Sequence, residues 1–234
     1  MTASKAKQDV APWRRRLYLP AYRVSDAGRY AGVSPRTVSY WHFGGSRAEA
    51  ALPGRAQRQY LSYVELVEVA FVVTFRSLGV TLQRIRKARD YAAQVLKSEY
   101  PFAEYSWLTE GHQVLLDLRT VEGDAALGRL VAADSEGQVA WKDVVSDRFH
   151  QFDYDNGIAL IWHLAGRRSP VVIDPRVSFG APSVNGVSTW ALKGRWDAGE
   201  GISDIQDDFG LSEDEVRYGL LFEGVDFDDV KQAA

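Results

Sequence analysis

Between Tyr22 and Phe43 the apolar and polar positions follow the period of two short helices separated by a tight turn. Ala27, Tyr30 and Ala31 mark the inward side of the first helix, and Ser25 is its expected cap. Gly32 supplies permissive backbone at the turn and Val33 packs beneath it. Ser34 is placed to cap the second helix, with Pro35 at the first position, where a missing N–H costs nothing. Val38 and Trp41, three apart, point inward and leave Arg36, Ser39, Tyr40 and Phe43 on the opposite side. A helix whose outer face carries a cation, a hydroxyl and a phenol is slim enough for a major groove, as in a helix-turn-helix. The competing reading is an ordinary helical hairpin in a globular core.

Beyond this pair, Gly44-Gly45-Ser46-Arg47, Leu52-Pro53-Gly54-Arg55 and Gln57-Arg58-Gln59-Tyr60 describe a hairpin or loop with spaced cations, a wing over a nucleic-acid backbone. Ser62 and Glu65 form a capping-box pattern. The helix they open, Tyr63 to Leu78, is apolar on most sides and must be buried, in part against a second copy. Gly79 ends it. Thr81 caps the next helix, with Leu82, Ile85, Ala88 or Arg89, Ala92 and Leu96 along one side and Arg84, Arg86 and Lys87 on the other. Residues 1–19, with Trp13 followed by Arg14, Arg15 and Arg16, read as a flexible basic arm.

Alternation returns in the middle, residues 99–168. Tyr100-Pro101 breaks the preceding helix. His112 to Arg119, Leu127 to Ala132 and Gln138 to Trp141 are predicted strands, and Val144, Val145, Phe149 and Phe152 have near-helical spacing. Asp155-Asn156-Gly157 is a turn before an apolar strand, Ile158 to Leu164; the section is expected to be structural and to serve dimerisation. From Ser169 onward, Val171 to Pro175 and Val177 to Gly180 are expected to be extended, and Asn185-Gly186 signals a tight hairpin. Three helices follow: Thr189 to Ala198, one led by Ile202 and stopped at Gly210, and one capped by Ser212 with Glu215. The last two form a second helix-turn-helix pattern.

Charge separates the two patterns. The 234 residues sum to −3. Residues 1–105 hold 17 Lys+Arg against 8 Asp+Glu, and the remainder 11 against 23. A basic front suits a polyanion and an acidic back is repelled by one. From Asp197 to Asp229 there are 12 acidic residues and one basic, Arg217, which points to a protein partner. The absence of cysteine removes disulfides and thiolate chemistry and agrees with a reducing cytoplasm. The opening M-T-A-S-K-A-K-Q-D-V is not a secretory signal, and no apolar run of about 18 residues is present, so no membrane association is expected.

Catalytic chemistry is thin. His42, His112, His150 and His163 lack metal-ligand spacing. No phosphate loop, dinucleotide fingerprint or nucleophile elbow occurs. Asp204, Asp207 and Asp208 are close enough in sequence to hold a hydrated Mg²⁺, although a solvated helix face is the commoner explanation. No enzyme activity, metal or cofactor is expected.

Two resemblances sharpen this reading. The run Y-R-V-S-D-A-G-R-Y-A-G-V-S-P-R-T-V-S-Y-W, the wing-like L-P-G-R and F-R-S-L-G-V-T-L-Q-R-I-R resemble MerR-type winged helix-turn-helix domains over about residues 20–97. Ser39 stands where that family often has a DNA-contacting arginine, and Arg36 is the neighbour that compensates. V-V-I-D-P-R-V-S-F-G-A-P-S-V-N-G-V and W-D-A-G-E-G-I-S-D-I-Q-D-D-F-G-L-S-E-D-E-V, over residues 170–223, resemble a small domain found in many VapB-type antitoxins. There the usual Gly-Thr-Arg is replaced by Gly186-Val187-Ser188. The resemblances imply an α+β, mainly helical chain: an N-terminal MerR-like winged helix-turn-helix (20–98), a mixed α/β middle section (99–168), a C-terminal short hairpin plus three-helix unit (169–225) and an acidic tail (226–234). They further imply an antitoxin that represses its own operator, as a homodimer or within a higher toxin–antitoxin assembly, and neutralises a PIN-domain ribonuclease toxin. On this reading Arg23, Arg36, Thr37, Ser39, Tyr40, Arg47, Arg55 and Arg58 meet double-stranded DNA. Asp204, Asp207, Asp208, Glu213, Asp214, Asp226, Asp228 and Asp229 meet the toxin. The alternative is a MerR-like regulator that senses a small molecule through its back half, with Trp107, Trp141, Phe149, Phe152 and Trp162 lining a pocket or simply packing a core.

Overall fold

The computed structural model describes residues 12–44, 50–52, 60–104 and 147–227, and the chain is a mixed α+β protein. The expected strands at 112–119, 127–132 and 138–141, with Val144 and Val145, lie outside the described residues.

A short helix, α1 (Pro12–Arg16), leads into β1 (Tyr22–Arg23), α2 (Val24–Ala31) and α3 (Pro35–Phe43). The arm is not loose over residues 12–19, correcting the expectation there. Leu17 is buried and its carbonyl accepts from the Val64 N–H, while Arg14 pairs with Asp155 at 2.7 Å. β2 (Tyr60–Leu61) returns to pair antiparallel with β1, Tyr22 opposite Leu61 and Arg23 opposite Tyr60. That two-stranded ladder ties the entry of α2 to the segment that leads into α4.

α4 (Tyr63–Ser77) is the centre of the molecule. Its capping box forms as expected: the Ser62 N–H donates to Glu65 at 2.6 Å and the Glu65 N–H to Ser62 at 3.4 Å. The all-round apolar surface is covered by this chain's own elements, so no second copy is needed to bury it. α2 lies on one side, and the turn Pro101–Ala103 and a hairpin of β3 (Phe152–Asp155) and β4 (Ile158–His163) lie on the others. Phe71 is the hub, with ring centroids 4.6 Å from Phe149 and 5.7 Å from Phe152, and Phe152 in turn stacks on Trp162 at 5.4 Å. Phe149, Phe152 and Trp162 therefore pack the core, the second of the two readings; Trp107 and Trp141 lie outside the described residues.

α5 (Leu82–Leu96), capped by Thr81 as expected, is joined to α4 by a buried ion pair that the sequence did not reveal. Glu68 accepts from Arg89 Nε at 3.0 Å and from the Phe102 N–H at 3.4 Å, and Arg89 also donates to the Glu99 carbonyl. The pair ties two helices and the 101–103 turn together inside an otherwise apolar layer.

β4 pairs with β5 (Val171–Ile173), which pairs with β6 (Pro182–Val184) and then β7 (Val187–Ser188). One five-stranded antiparallel sheet thus runs through both the middle section and the final unit. Both predicted two-residue turns form, at Asn156-Gly157 and Asn185-Gly186, each pair with positive φ. Val177–Gly180 departs from the extended expectation and makes a turn, with Ser178, Phe179 and Gly180 all left-handed. Asp174 explains it: its carbonyl accepts the Val177 N–H, and its carboxylate accepts the Arg176 N–H and forks onto that guanidinium. Gly180 is obligatory here, because a Cβ would stand 2.1 Å from the Tyr22 hydroxyl. The last unit ends in α6 (Thr189–Asp197), α7 (Ile202–Phe209) and α8 (Glu213–Phe222), packed on Leu192, Ile205, Val216 and Leu220.

Candidate nucleic-acid interface

The turn between α2 and α3 is built from local chemistry. The Asp26 carboxylate accepts the Arg23 N–H at 3.3 Å, so the helix starts at Val24 with Arg23 as its cap position. Ser25 sits within the first turn and is not the cap, because the helix already begins one residue earlier, at Val24. Gly32 takes the left-handed conformation with φ 75°. The Ser34 side chain accepts the Thr37 N–H at 3.1 Å, and Pro35 occupies the first helical position. Gly28, unmarked by the sequence reading, is where the two helices meet. A Cβ there would come within 2.6 Å of the Val33 carbonyl oxygen and 3.1 Å of the Pro35 nitrogen. A glycine in mid-helix was the available signal.

On α3, Val38 and Trp41 are buried as expected. Arg36 is exposed, Tyr40 is 40% exposed, and Ser39 and Thr37 are half-buried. The Thr37 hydroxyl is shared with Ser34 at 2.8 Å, which fixes its orientation at the helix start. Arg23 is exposed one residue before α2. Residues 50–52, the described part of the predicted wing stretch, are held against α3 and α5. The Trp41 carbonyl accepts the Ala51 and Leu52 N–H groups, at 2.8 and 2.9 Å, and Arg86 Nε donates to the Ala50 carbonyl at 2.6 Å. Arg47, Arg55 and Arg58 lie outside the described residues.

The acidic unit presents a second surface, less uniformly negative than its sequence suggests. Arg195 bonds both Glu200 and Asp208, Lys193 holds Asp197 at 2.5 Å, and Arg217 holds Glu213 at 2.6 Å. Lys193 and Arg195 precede the acidic stretch: Lys193 reaches Asp197 one helical turn on, and Arg195 reaches across to Asp208 on α7. Asp204 is exposed and accepts the Gly201 N–H at 3.2 Å, an N-terminal capping role for α7. Asp207, Asp214 and Asp226 are exposed; Asp228 and Asp229 lie outside the described residues. Among the described residues no group of three or more His, Asp or Glu is placed to hold a metal ion, so Asp204, Asp207 and Asp208 do not converge as a cation site. No helix among them is long and apolar enough to cross a membrane. Exposed apolar side chains accompany the acids: Trp190 on α6, and Tyr218 and Leu221 one helical turn apart on α8.

The two surfaces are joined. Arg29 on α2 donates to Glu223 just beyond α8 at 2.9 Å, and Tyr30 stacks on Phe222 with centroids 6.2 Å apart. Burial disfavours the Arg29 charge, but hydrogen bonds with Glu223 and Tyr30 outweigh it and hold its pKa above the ordinary value.

Comparison with known proteins agrees with this geometry. The chain is 26% identical over 226 residues to the Mycobacterium tuberculosis protein named "Putative antitoxin VapB45", covering 88% of this chain and 94% of that one. The crystal structure of Rv2018 from Mycobacterium tuberculosis superposes with a TM-score of 0.70 at 24% identity, over 88% of this chain and 99% of that one, so the two share a fold. Residues 22–92 match the family described as MerR HTH family regulatory protein. The pair of capped helices, the two-stranded ladder and the two helices behind them are thus a MerR-family helix-turn-helix domain within this chain.

Proposed function

We propose that this chain is the antitoxin of a type II toxin–antitoxin pair, binding its own operator with the front domain and a PIN-domain ribonuclease toxin with the acidic unit. The observation that carries the reading is a solvent-facing α3, with Arg36 and Tyr40 outward, in a chain resembling "Putative antitoxin VapB45" across nearly its whole length. Arg36, Thr37, Ser39 and Tyr40 reach base edges, while Arg23, Arg47, Arg55 and Arg58 hold phosphates. Two copies read a palindrome, since a two-fold protein matches two-fold DNA. An RNA-cleaving toxin presents a cationic surface to its substrate, and Asp204, Asp207, Asp208, Glu213, Asp214, Asp226, Asp228 and Asp229 offer that surface a competing set of carboxylates. The existing ion pairs at Asp208 and Glu213 are exposed and worth little, so exchanging them for toxin contacts costs little.

Two measurements test the two halves. The purified chain should shift its own upstream DNA with an affinity that falls steeply with salt. Arg36→Ala should cost about 1–3 kcal/mol of that binding, concentrated at one base position. Absence of any salt-dependent shift removes the repressor half. Co-expression with the neighbouring reading frame should give co-purification and rescue of growth; a neighbour encoding a transporter would favour the small-molecule sensor.

A further inference from the structure

The contact of α2 with the end of α8 has no role in the scheme so far, yet it is the best-formed polar link between the front domain and the acidic unit. Glu223 is only 13% exposed and serves both sides. One carboxylate oxygen accepts from Arg29 at 2.9 Å, and the other accepts from the hydroxyl of Thr189, a buried side chain whose oxygen also lies 3.3 Å from the Pro182 carbonyl of β6. The Arg29 guanidinium lies 5.2 Å from the ring centroids of both Tyr30 and Phe222, and those two rings stack at an interplanar angle of 29°. Sheet, α6 and α8 therefore converge on a single turn of α2. α2 in turn packs closely on α3, because the Gly28 face rests directly on the Val33–Pro35 backbone.

We propose that Arg29, Tyr30, Phe222 and Glu223 form a brace through which the acidic unit sets the tilt of the α2–α3 pair, and hence the aim of the reading helix on DNA. These are positioning residues and touch no base. The inference rests on the DNA-binding reading above and adds to it that the acidic unit is part of the DNA-reading machinery as well as a surface for a protein partner.

Bulk electrostatics and the brace predict opposite signs, which makes the idea sharp. Glu223 is a negative charge on a chain that binds a polyanion, so its removal should tighten DNA binding if charge alone mattered. The brace requires the reverse. In the full-length chain, Glu223→Ala should weaken binding to its own upstream duplex by roughly tenfold, the size expected when a coupled element is released. The weakening should be the same at low and high salt, with the salt slope unchanged, since no phosphate contact is lost. Arg29→Glu and Glu223→Arg should each weaken binding, and the double exchange should restore it to within about threefold by re-forming the pair. Phe222→Leu keeps the burial but removes the stacked ring, and should weaken binding by roughly threefold even if Glu223→Ala folds poorly. Equal or tighter binding by Glu223→Ala, or a double exchange no better than its worse single variant, overturns the brace while the DNA-binding reading stands. A wild-type chain that binds no upstream DNA at any salt concentration overturns both.

Discussion

Replacing Arg89 with alanine is expected to destabilise the chain by about 3–5 kcal/mol above neutral pH, because it leaves Glu68 buried without its cation. The Glu68 side chain is 1% exposed and its partner 8%. Burial is the largest influence on the Glu68 carboxyl; it outweighs the charge and hydrogen bond of Arg89 and the Phe102 N–H, and pushes the pKa up to about 7 from 4.5. A pKa raised by folding means that the native state holds a proton the unfolded state has released. The contribution is therefore complete below the ordinary carboxylate range and is lost as pH rises through about 7. Wild-type Tm should accordingly fall between about pH 5 and about pH 8 relative to Glu68→Gln, which has no such proton to lose. The Arg89→Ala penalty should shrink at the acid end of that range, where Glu68 is neutral. Pairing Arg89→Met with Glu68→Leu should recover most of the loss, since removing both charges is far cheaper than stranding one. Chemical denaturation at the two pH values reads all of these, and a Tm that rises with pH relative to Glu68→Gln would contradict the account.

Gly28→Ala should cost about 2–3 kcal/mol and abolish DNA binding, against the usual helix-propensity gain of about 0.5–1 kcal/mol for that change. The added methyl would meet the Val33 carbonyl oxygen at 2.6 Å and the Pro35 nitrogen at 3.1 Å. Both are backbone atoms, so no side chain can swing aside, and α3 itself must move. Gly32→Ala differs in kind: it meets nothing within 4 Å, and its penalty comes only from φ 75°. Comparing the denaturant midpoints and duplex affinities of the two variants separates crowding from backbone strain. Near-wild-type affinity in Gly28→Ala would mean that the α2–α3 spacing tolerates adjustment.

What the sequence made legible is chemistry that acts within about four residues. The Ser34, Ser62, Thr81 and Ser212 caps, the left-handed Gly32 and Gly210, and both Asn-Gly turns form where their residue types demand. Ser25 failed because α2 already begins one residue earlier, at Val24. Phe179 failed because an apolar run looks extended until Asp174 bends the chain from outside it. Side-chain pairs distant in sequence left no trace. Arg14 with Asp155, Glu68 with Arg89, and Arg29 with Glu223 are each ordinary charged residues until the fold brings them together. The all-round apolar α4 was recognised as buried, but what covers it, Phe149 and Phe152 from a hairpin far along the chain, depends on topology. For the interface itself, the outward set on α3 was readable from helical period alone, whereas its attachment to the acidic unit was not.

Glu223 stands 194 residues after the Arg29 it holds. On a ribosome adding about 5–20 residues per second, the front domain emerges and waits roughly 10–40 s for its support to be made. On the brace proposal, a nascent chain in that interval would carry α3 without the contact that sets its aim. If the brace acts as proposed, chains cut short before α8 share that weaker grip permanently, and full affinity for DNA comes with a chain that also carries its acidic surface.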